Sequence, residues 1–472
     1  HLRSQASIPF WNPYLFSGIP FIANIQAAMF YPLGFLYYLF PPHIAYGYTT
    51  VLHWVLGSMF MYAFMRSLSV SAAGSFISVV IFSFNGYFMG HLYAGHLTFV
   101  QSYIWLPLIF HLFYLFMRDF NLKYAIPAGL ILGVQILGGF PQLTFYTILG
   151  CMMFGLFRGF VFVREGKYQR TVILFAGVVG MLFVGFAAAA VQILPTMEFT
   201  RLSTRAGGID YAFATYDSLN PRDVLAFLVP NIFGSPVDGT YWPSRETWHF
   251  WESCGYVGIF PLFLVFVKGA SRSIRKLRIF FLLLIAFSLF LAFGRHNPFY
   301  HMIYRLPGFH SFRIPAQILF LYVFSVSVLS GIGWSNLEEG NWHLSRGPVI
   351  FLAIVGGLLL FLVSGLTFSP YDFFFRLFKN FSDGPLSHVN IDGLYNRISF
   401  SIRKSVLLFF GSVLVIATIK HRLVRRRQAF IICCSLLLTD LFIFGQPFIK
   451  SYEFKTSHKK PVSYTHLTLP TN

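Results

Sequence analysis

The stretch TVILFAGVVGMLFVGFAAAAVQIL, residues 171–194, contains no charged side chain and a single amide, Gln192. At 1.5 Å per residue it is long enough to cross the hydrocarbon core of a bilayer. Apolar runs of comparable character recur near residues 45–65, 72–90, 97–117, 124–139, 142–160, 254–268, 277–293, 315–333, 348–367, 404–420 and 428–446. Over 472 residues the chain is 56% hydrophobic and 11% charged, with the charges gathered between the runs. The pattern predicts an all-α, polytopic transmembrane helix bundle of about 12 spans.

Between these runs lie segments of a different kind. MFYPLGFLYYLF, residues 29–40, is too short to span and is closed by Pro41 and Pro42, so it reads as an interfacial or half-inserted helix. Roughly half of the 35 basic residues fall in alternate short loops, around Arg66, Arg118 and Lys123, Arg158–Arg170, Lys268–Arg278, Arg346 and Lys420–Arg427. Such loops stay on the cytoplasmic side, so the net charge of +19 reflects topology and gives no reason to invoke nucleic acid.

The expected organisation is then as follows. Residues 1–44 are the remainder of a first outer loop with interfacial helices, and 45–194 hold six membrane helices. A long outer loop covers 195–253, and six more helices occupy 254–446, with outer loops at 294–314 and 368–403. Residues 447–472 form an outer tail. The chain opens on His1 without a signal peptide, and its own N-terminus reads as missing. Its closing PVSYTHLTLPTN departs from the preceding pattern, and about the last ten residues read as artefactual. Cys151, Cys254, Cys433 and Cys434 have no metal-ligand spacing and suit small buried positions.

Chemistry is expected on the outer loops, which carry the acids Glu198, Asp210, Asp217, Asp223, Asp238, Glu246, Glu252, Asp372, Asp383 and Asp392. No G-x-x-x-x-G-K-[ST] run exists, so nothing points to a cytoplasmic nucleotide site. In PFWNPYLFSGIPFIANIQAAMFYP, the amides Asn12, Asn24 and Gln26 need partners or a ligand, although the aromatics alone would make an interfacial belt. GHLYAGHLTFVQSYIWLPL sets His91, His96 and Gln101 at a span mouth, as interfacial histidines or as anion donors. LGGFPQLTFY is a tight hairpin that turns Gln142 toward the same mouth or merely connects two spans.

Glu198, Arg201 and Arg205 lie just outside one span, and Glu252 and Tyr256 lie at the entrance to another. Each group is either a headgroup anchor or, for the acids, a base or metal ligand. SLNPRDVLAFLVPNIFGSP reads as a short amphipathic helix and a turn, with Asn231 as its polar contact. GFHSFRIPAQILF delivers Arg313, flanked by His310 and Gln317, to the start of a span, either snorkelling or clamping phosphate. Asp440, inside the last apolar run, is a functional candidate by its position or simply reaches water.

The ordered set WNPYLFSG, FYP, GH before WLPL, GGFPQ, PNIFG, YVGIFPL and FRIPAQ resembles the YfhO-like bacterial membrane proteins of the GT-C glycosyltransferase superfamily, over about residues 8–330. The resemblance implies a GT-C bundle in the bacterial plasma (inner) membrane. It implies inverting transfer of a sugar from a polyprenyl-phosphate donor to a cell-envelope glycan or lipid acceptor on the outer face. The general base it implies is an Asp in the first outer loop, expected upstream of residue 1, so this fragment is expected to be inactive.

Carried onto this chain, Asn24, Gln26, His96, Gln142 and Glu252 would line the substrate cavity, and Arg205 or Arg313 would stabilise the departing lipid phosphate. No cofactor or metal site is identified, and a divalent metal stays open. The alternative is a transporter or flippase for lipid-linked saccharides, which predicts paired charges or broken helices within the membrane. A purely structural scaffold is the third reading.

Overall fold

The computed structural model describes residues 10–13, 18–242, 249–340, 342–369, 372–373, 376 and 391–449. Glu246, Asp383, half of the expected 368–403 loop and most of the C-terminal tail lie outside the described residues. Strand pairing among the described residues consists of a two-residue antiparallel ladder, β1 (Trp11–Asn12) against β2 (Ile19–Pro20), with Trp11 opposite Pro20, and one isolated bridge between Lys268 and His343. Most of the rest is helical. After a 3₁₀ turn and one α-turn at Pro32–Leu39 come α1 (Pro42–Ser67), α2 (Ala72–Phe84), α3 (Gly86–Tyr93), α4 (Leu97–Tyr103), α5 (Leu106–Asp119), α6 (Leu122–Leu137), α7 (Pro141–Arg164), α8 (Tyr168–Ala188) and α9 (Ala190–Arg201). Then follow α10 (Ile259–Leu264), α11 (Arg272–Ala292), α12 (Leu319–Glu339), α13 (Arg346–Phe368), α14 (Ile391–Lys420) and α15 (Arg426–Gly445).

Eight helical units among the described residues are long and apolar enough to cross a membrane, so the chain is a multi-pass helical membrane protein. They are Ala72–Tyr93, Leu97–Asp119, Pro141–Arg164, Tyr168–Ala188, Pro315–Glu339, Arg346–Phe368, Ile391–Lys420 and Arg426–Phe448. Three further expected runs are helical where the sequence places them but are shorter or more polar, namely α1, α6 and α11.

Residues 254–268 depart from expectation. They are not one helix but a non-helical segment, Cys254–Gly258, followed by the short α10. Gly258 has a φ of +92°, which only glycine adopts without strain. Two outer-loop boundaries also move. α9 carries the helix on to Arg201, and α14 begins at Ile391, where its polar first turns let Arg397 pair with Asp238. The Pro41–Pro42 break holds, because Pro42 occupies the first turn of α1.

α12 is the axis of the bundle, with every residue from Leu319 to Leu337 buried. It packs on α2 and α11. Small residues permit the approach: a Cβ on Gly331 would lie 2.0 Å from Ser78 Oγ and 2.6 Å from the Gly74 carbonyl. The buried hydroxyls of Ser325 and Ser327 donate to Leu321 and Val323 carbonyls one turn back, at 2.7 and 2.8 Å, so neither hydroxyl is left without a partner. Around the axis, Phe64, Phe110, Phe281 and Phe324 pack edge-on or stacked.

The basic loops gather at one end of the bundle. Lys276 and Lys167 both donate to Glu165, at 2.7 and 2.6 Å, and Lys268 pairs with His343 through the backbone. Arg66, Glu338, Glu339 and Arg426 line one shallow depression there. The acid- and histidine-bearing loops meet at the opposite end.

Candidate functional site at the end opposite the basic loops

Asn85 creates the site's first wall. Its side-chain oxygen accepts from the Phe88 amide at 2.8 Å, capping α3, while its amide donates to Phe82 O, Ile81 O and Tyr103 Oη. The chain is thereby broken between α2 and α3, and His91 is turned inward. His91 Nδ1 donates to Tyr87 O at 2.9 Å, and its ring stacks on Phe99 at 3.8 Å. Its Nε2 faces Glu252 Oε2 at 3.7 Å, and the other carboxylate oxygen accepts from Gln317 Nε2 at 3.3 Å.

His91 Nε2, Glu252 Oε2 and Gln317 Oε1 are all buried without a hydrogen-bond partner, a set of acceptors that invites a proton or a donor. Burial alone would raise the Glu252 carboxyl. The facing His91 and His96 imidazoles and the Gln317 amide outweigh it and hold the group below the usual carboxylate range.

A line of rings leads from this buried pair to the surface. His96 lies 5.4 Å from His91 and 5.5 Å, edge-on, from Trp251. Trp251 in turn lies 5.0 Å from His249. Burial pushes the His96 imidazole down to about 4, and the neighbouring His91 and His249 act in the same direction. His249 Nδ1 bonds to the buried carboxylate of Asp217. Asp217 sits at φ +51° in a turn held by Arg295, whose N–H groups bond Ser218 Oγ and the Thr215 and Ala212 carbonyls.

That turn also carries Phe213, and two guanidiniums lie over its ring: Arg313 at 5.5 Å and Arg205 at 5.8 Å. Both are exposed, and neither forms an ion pair among the described residues. Gln142 explains how Arg313 is aimed. Ile314 is a β-branched residue at φ +63°, a strained conformation, and Gln142 Nε2 donates to the carbonyls on either side of its nitrogen and carbon, Arg313 O at 2.7 Å and Ile314 O at 3.2 Å. The Gln142 amide, expected from the sequence as a cavity-lining group, thus clamps backbone.

The structure brings Glu252 and His96 together, and separately Arg205, Arg313 and Gln142. Asn24 and Gln26 lie on a turn that packs against Gly139 and Thr98. Asn24 caps the Ile25–Ala27 turn by accepting from the Gln26 amide at 3.1 Å, and Gln26 is exposed. This turn covers Gly139 and is tied to α9 through Gln192 and Thr196. Among the described residues neither amide bonds to His96, Gln142, Glu252 or the arginines.

Asn231 meets α14 through its backbone amide, which donates to Ser401 Oγ at 3.3 Å. Asp440 is not free. It accepts from Tyr256 Oη at 2.6 Å, the Ile259 amide at 3.0 Å and Lys404 Nζ at 2.8 Å, so it anchors the start of α10. The four cysteines are buried thiols, and no group of three or more His, Cys, Asp or Glu among the described residues could hold a metal ion.

The Asp217–His249 pair was missed by sequence reasoning because its members are 32 residues apart in an irregular segment. The spacing His249-x-x-Glu252 was the available signal. No protein-family model, curated protein or solved structure matches the chain. What the fold itself defines is a multi-pass helical membrane protein with a polar, aromatic-lined cluster at one end of the bundle.

Proposed function

We propose that this protein is a GT-C type inverting glycosyltransferase of the YfhO-like kind, which moves a sugar from a polyprenyl-phosphate donor to a cell-envelope acceptor on the outer face of a bacterial plasma membrane. The observation that carries the reading is the pair of exposed guanidiniums, Arg205 and Arg313, that share the Phe213 ring and form no ion pair among the described residues. Guanidinium forks suit a lipid phosphate whose charge grows as the sugar departs. The donor arrives activated, so no nucleotide site is required outside the cell. His96 and Glu252 then line the side on which sugar hydroxyls would be held, and Gln142 fixes Arg313 through the strained Ile314.

The test is transfer of labelled sugar from polyprenyl phosphate in membranes carrying the protein expressed from its complete gene. Arg205→Ala and Arg313→Ala should each raise the donor KM about tenfold, the worth of one charge-assisted contact. Transfer that is indifferent to both changes would remove the phosphate site from the mechanism.

A second reading, a flippase for lipid-linked saccharides, is favoured by one observation: the non-helical Cys254–Gly258 segment beside the largely buried Lys404–Asp440 pair. Movement of a labelled lipid-linked saccharide across vesicles, without transfer, would select it.

A further inference from the structure

Resting on the transferase reading, we infer that His249, oriented by Asp217, is a general base within this chain that deprotonates the acceptor hydroxyl. The resemblance expects that role from an upstream Asp, and nothing in it assigns His249. Three features set this pair apart from the other acid and imidazole pair, Glu252 and His91. The first is access: the His249 side chain is 34% exposed while Asp217 is 1% exposed, whereas His91 and Glu252 are 0% and 5% exposed. The His249 ring is thus partly open to solvent, where a hydroxyl can approach it.

The second is orientation. The buried carboxylate accepts the Nδ1 proton, so in the neutral ring Nε2 is the basic nitrogen, and among the described residues it has no hydrogen-bond partner. The third is location. Tyr216, adjacent to Asp217, has its ring 6.4 Å from that of His249, and Phe213, four residues before Asp217, carries Arg313 and Arg205 over its ring at 5.5 and 5.8 Å. The residue that orients the base and the ring that holds the phosphate clamp therefore belong to one short stretch of chain. Asp217 is held in the left-handed region at φ +51°, the kind of local strain that a fold keeps where it aims a group.

The step balances. The acceptor hydroxyl gives its proton to His249 Nε2 as its oxygen forms a bond to the anomeric carbon. The bond from that carbon to the phosphate oxygen breaks on the opposite face, and its electron pair stays on the phosphate beside Arg313 and Arg205. The imidazolium then returns its proton to water at its exposed edge. Among the described residues the groups facing His249 are Asp217, His96, Tyr216 and Trp251. Of these only Asp217 bonds to it. Asp217 is a positioning residue.

The experiment compares wild type, His249→Gln, His249→Gly, Asp217→Asn and Asp217→Glu, each expressed from the complete gene. Membranes are given a panel of radiolabelled hexosyl polyprenyl phosphates and endogenous acceptors. His249→Gln should lower kcat about 100-fold or more with the donor KM unchanged, the range for loss of a general base. Added imidazole should restore turnover to His249→Gly, which a structural role would not allow. Asp217→Asn should lower kcat with KM unchanged, and Asp217→Glu should recover part of it. Retention of wild-type kcat by His249→Gln, or its loss with no imidazole rescue of His249→Gly, overturns the dyad and leaves the transferase reading standing. Absence of transfer by wild type from every donor overturns both.

Discussion

Single side chains at the open end of the bundle are loaded in ways that their sequence neighbours do not disclose. Gln142 holds two consecutive carbonyls around a strained Ile314. Gln142→Leu therefore removes these two hydrogen bonds and the one to Tyr146 Oη, and we expect a loss of about 1–3 kcal/mol of stability with a raised donor KM as Arg313 loses its aim. Thermal unfolding in detergent and donor titration check the two halves, and an unchanged KM would detach Gln142 from the arginine. His96 supplies a pH prediction. Its folded-state value near 4 lies below the usual histidine range, so the folded protein binds fewer protons than the unfolded chain between the two. The contribution is fully present above about pH 6.5 and is lost as pH falls toward 4. His96→Gln should flatten the decline of thermal stability over that window, and a decline identical to wild type would show that another group is responsible.

At the scale of elements, the runs that became helices were legible because a bilayer imposes one demand, a stretch of apolar residues long enough to close its own backbone hydrogen bonds. The 171–194 run and α8 agree, and so do the Pro41–Pro42 break and α1. Residues 254–268 misled because their composition is equally apolar, while the support for an unwound backbone comes from far away in sequence. Asp440 on α15 accepts the first amide of α10, Tyr256 Oη and Lys404 Nζ, and the Gly86 amide donates to Tyr256 O at 2.7 Å.

The site divides in the same way. Glu252, His96 and Arg313 stood out as polar residues at span mouths, whereas Asp217 and His249 meet only through tertiary folding. Because Lys404 and Asp440 are buried together, removing one partner should cost far more than replacing both. Lys404→Met alone is expected to destabilise by about 3–5 kcal/mol, and Lys404→Met with Asp440→Leu by clearly less. A double-mutant cycle in urea or by thermal unfolding measures the difference. Additive losses would mean that Asp440 acts through the α10 amide and Tyr256 rather than through the ion pair.

For the whole molecule, everything proposed about chemistry depends on which end of the bundle faces out. The basic loops converge on one end, where Glu165 ties the α7–α8 turn to the start of α11, and the arginine pair and the dyad lie at the other. Segregation of Lys and Arg in this way orients membrane proteins with the basic loops inside. The chain suits a direct test, because all four native cysteines are buried and should be silent to a membrane-impermeant maleimide. Leu202, at the end of α9, and Leu423, between α14 and α15, are 84% and 73% exposed at opposite ends. In intact cells Leu202→Cys should be labelled at once, and Leu423→Cys only after the membrane is opened. The reverse pattern would put Arg205, Arg313 and His249 in the cytoplasm. Nucleotide-activated sugars would then be available as donors, and an outward-facing lipid-phosphate donor would no longer be required by location. Labelling of both from the same side would mean an odd number of crossings is wrong for the segment between them, and the span near 254–268 would be the first to lose its place, since its helix is already broken at Gly258.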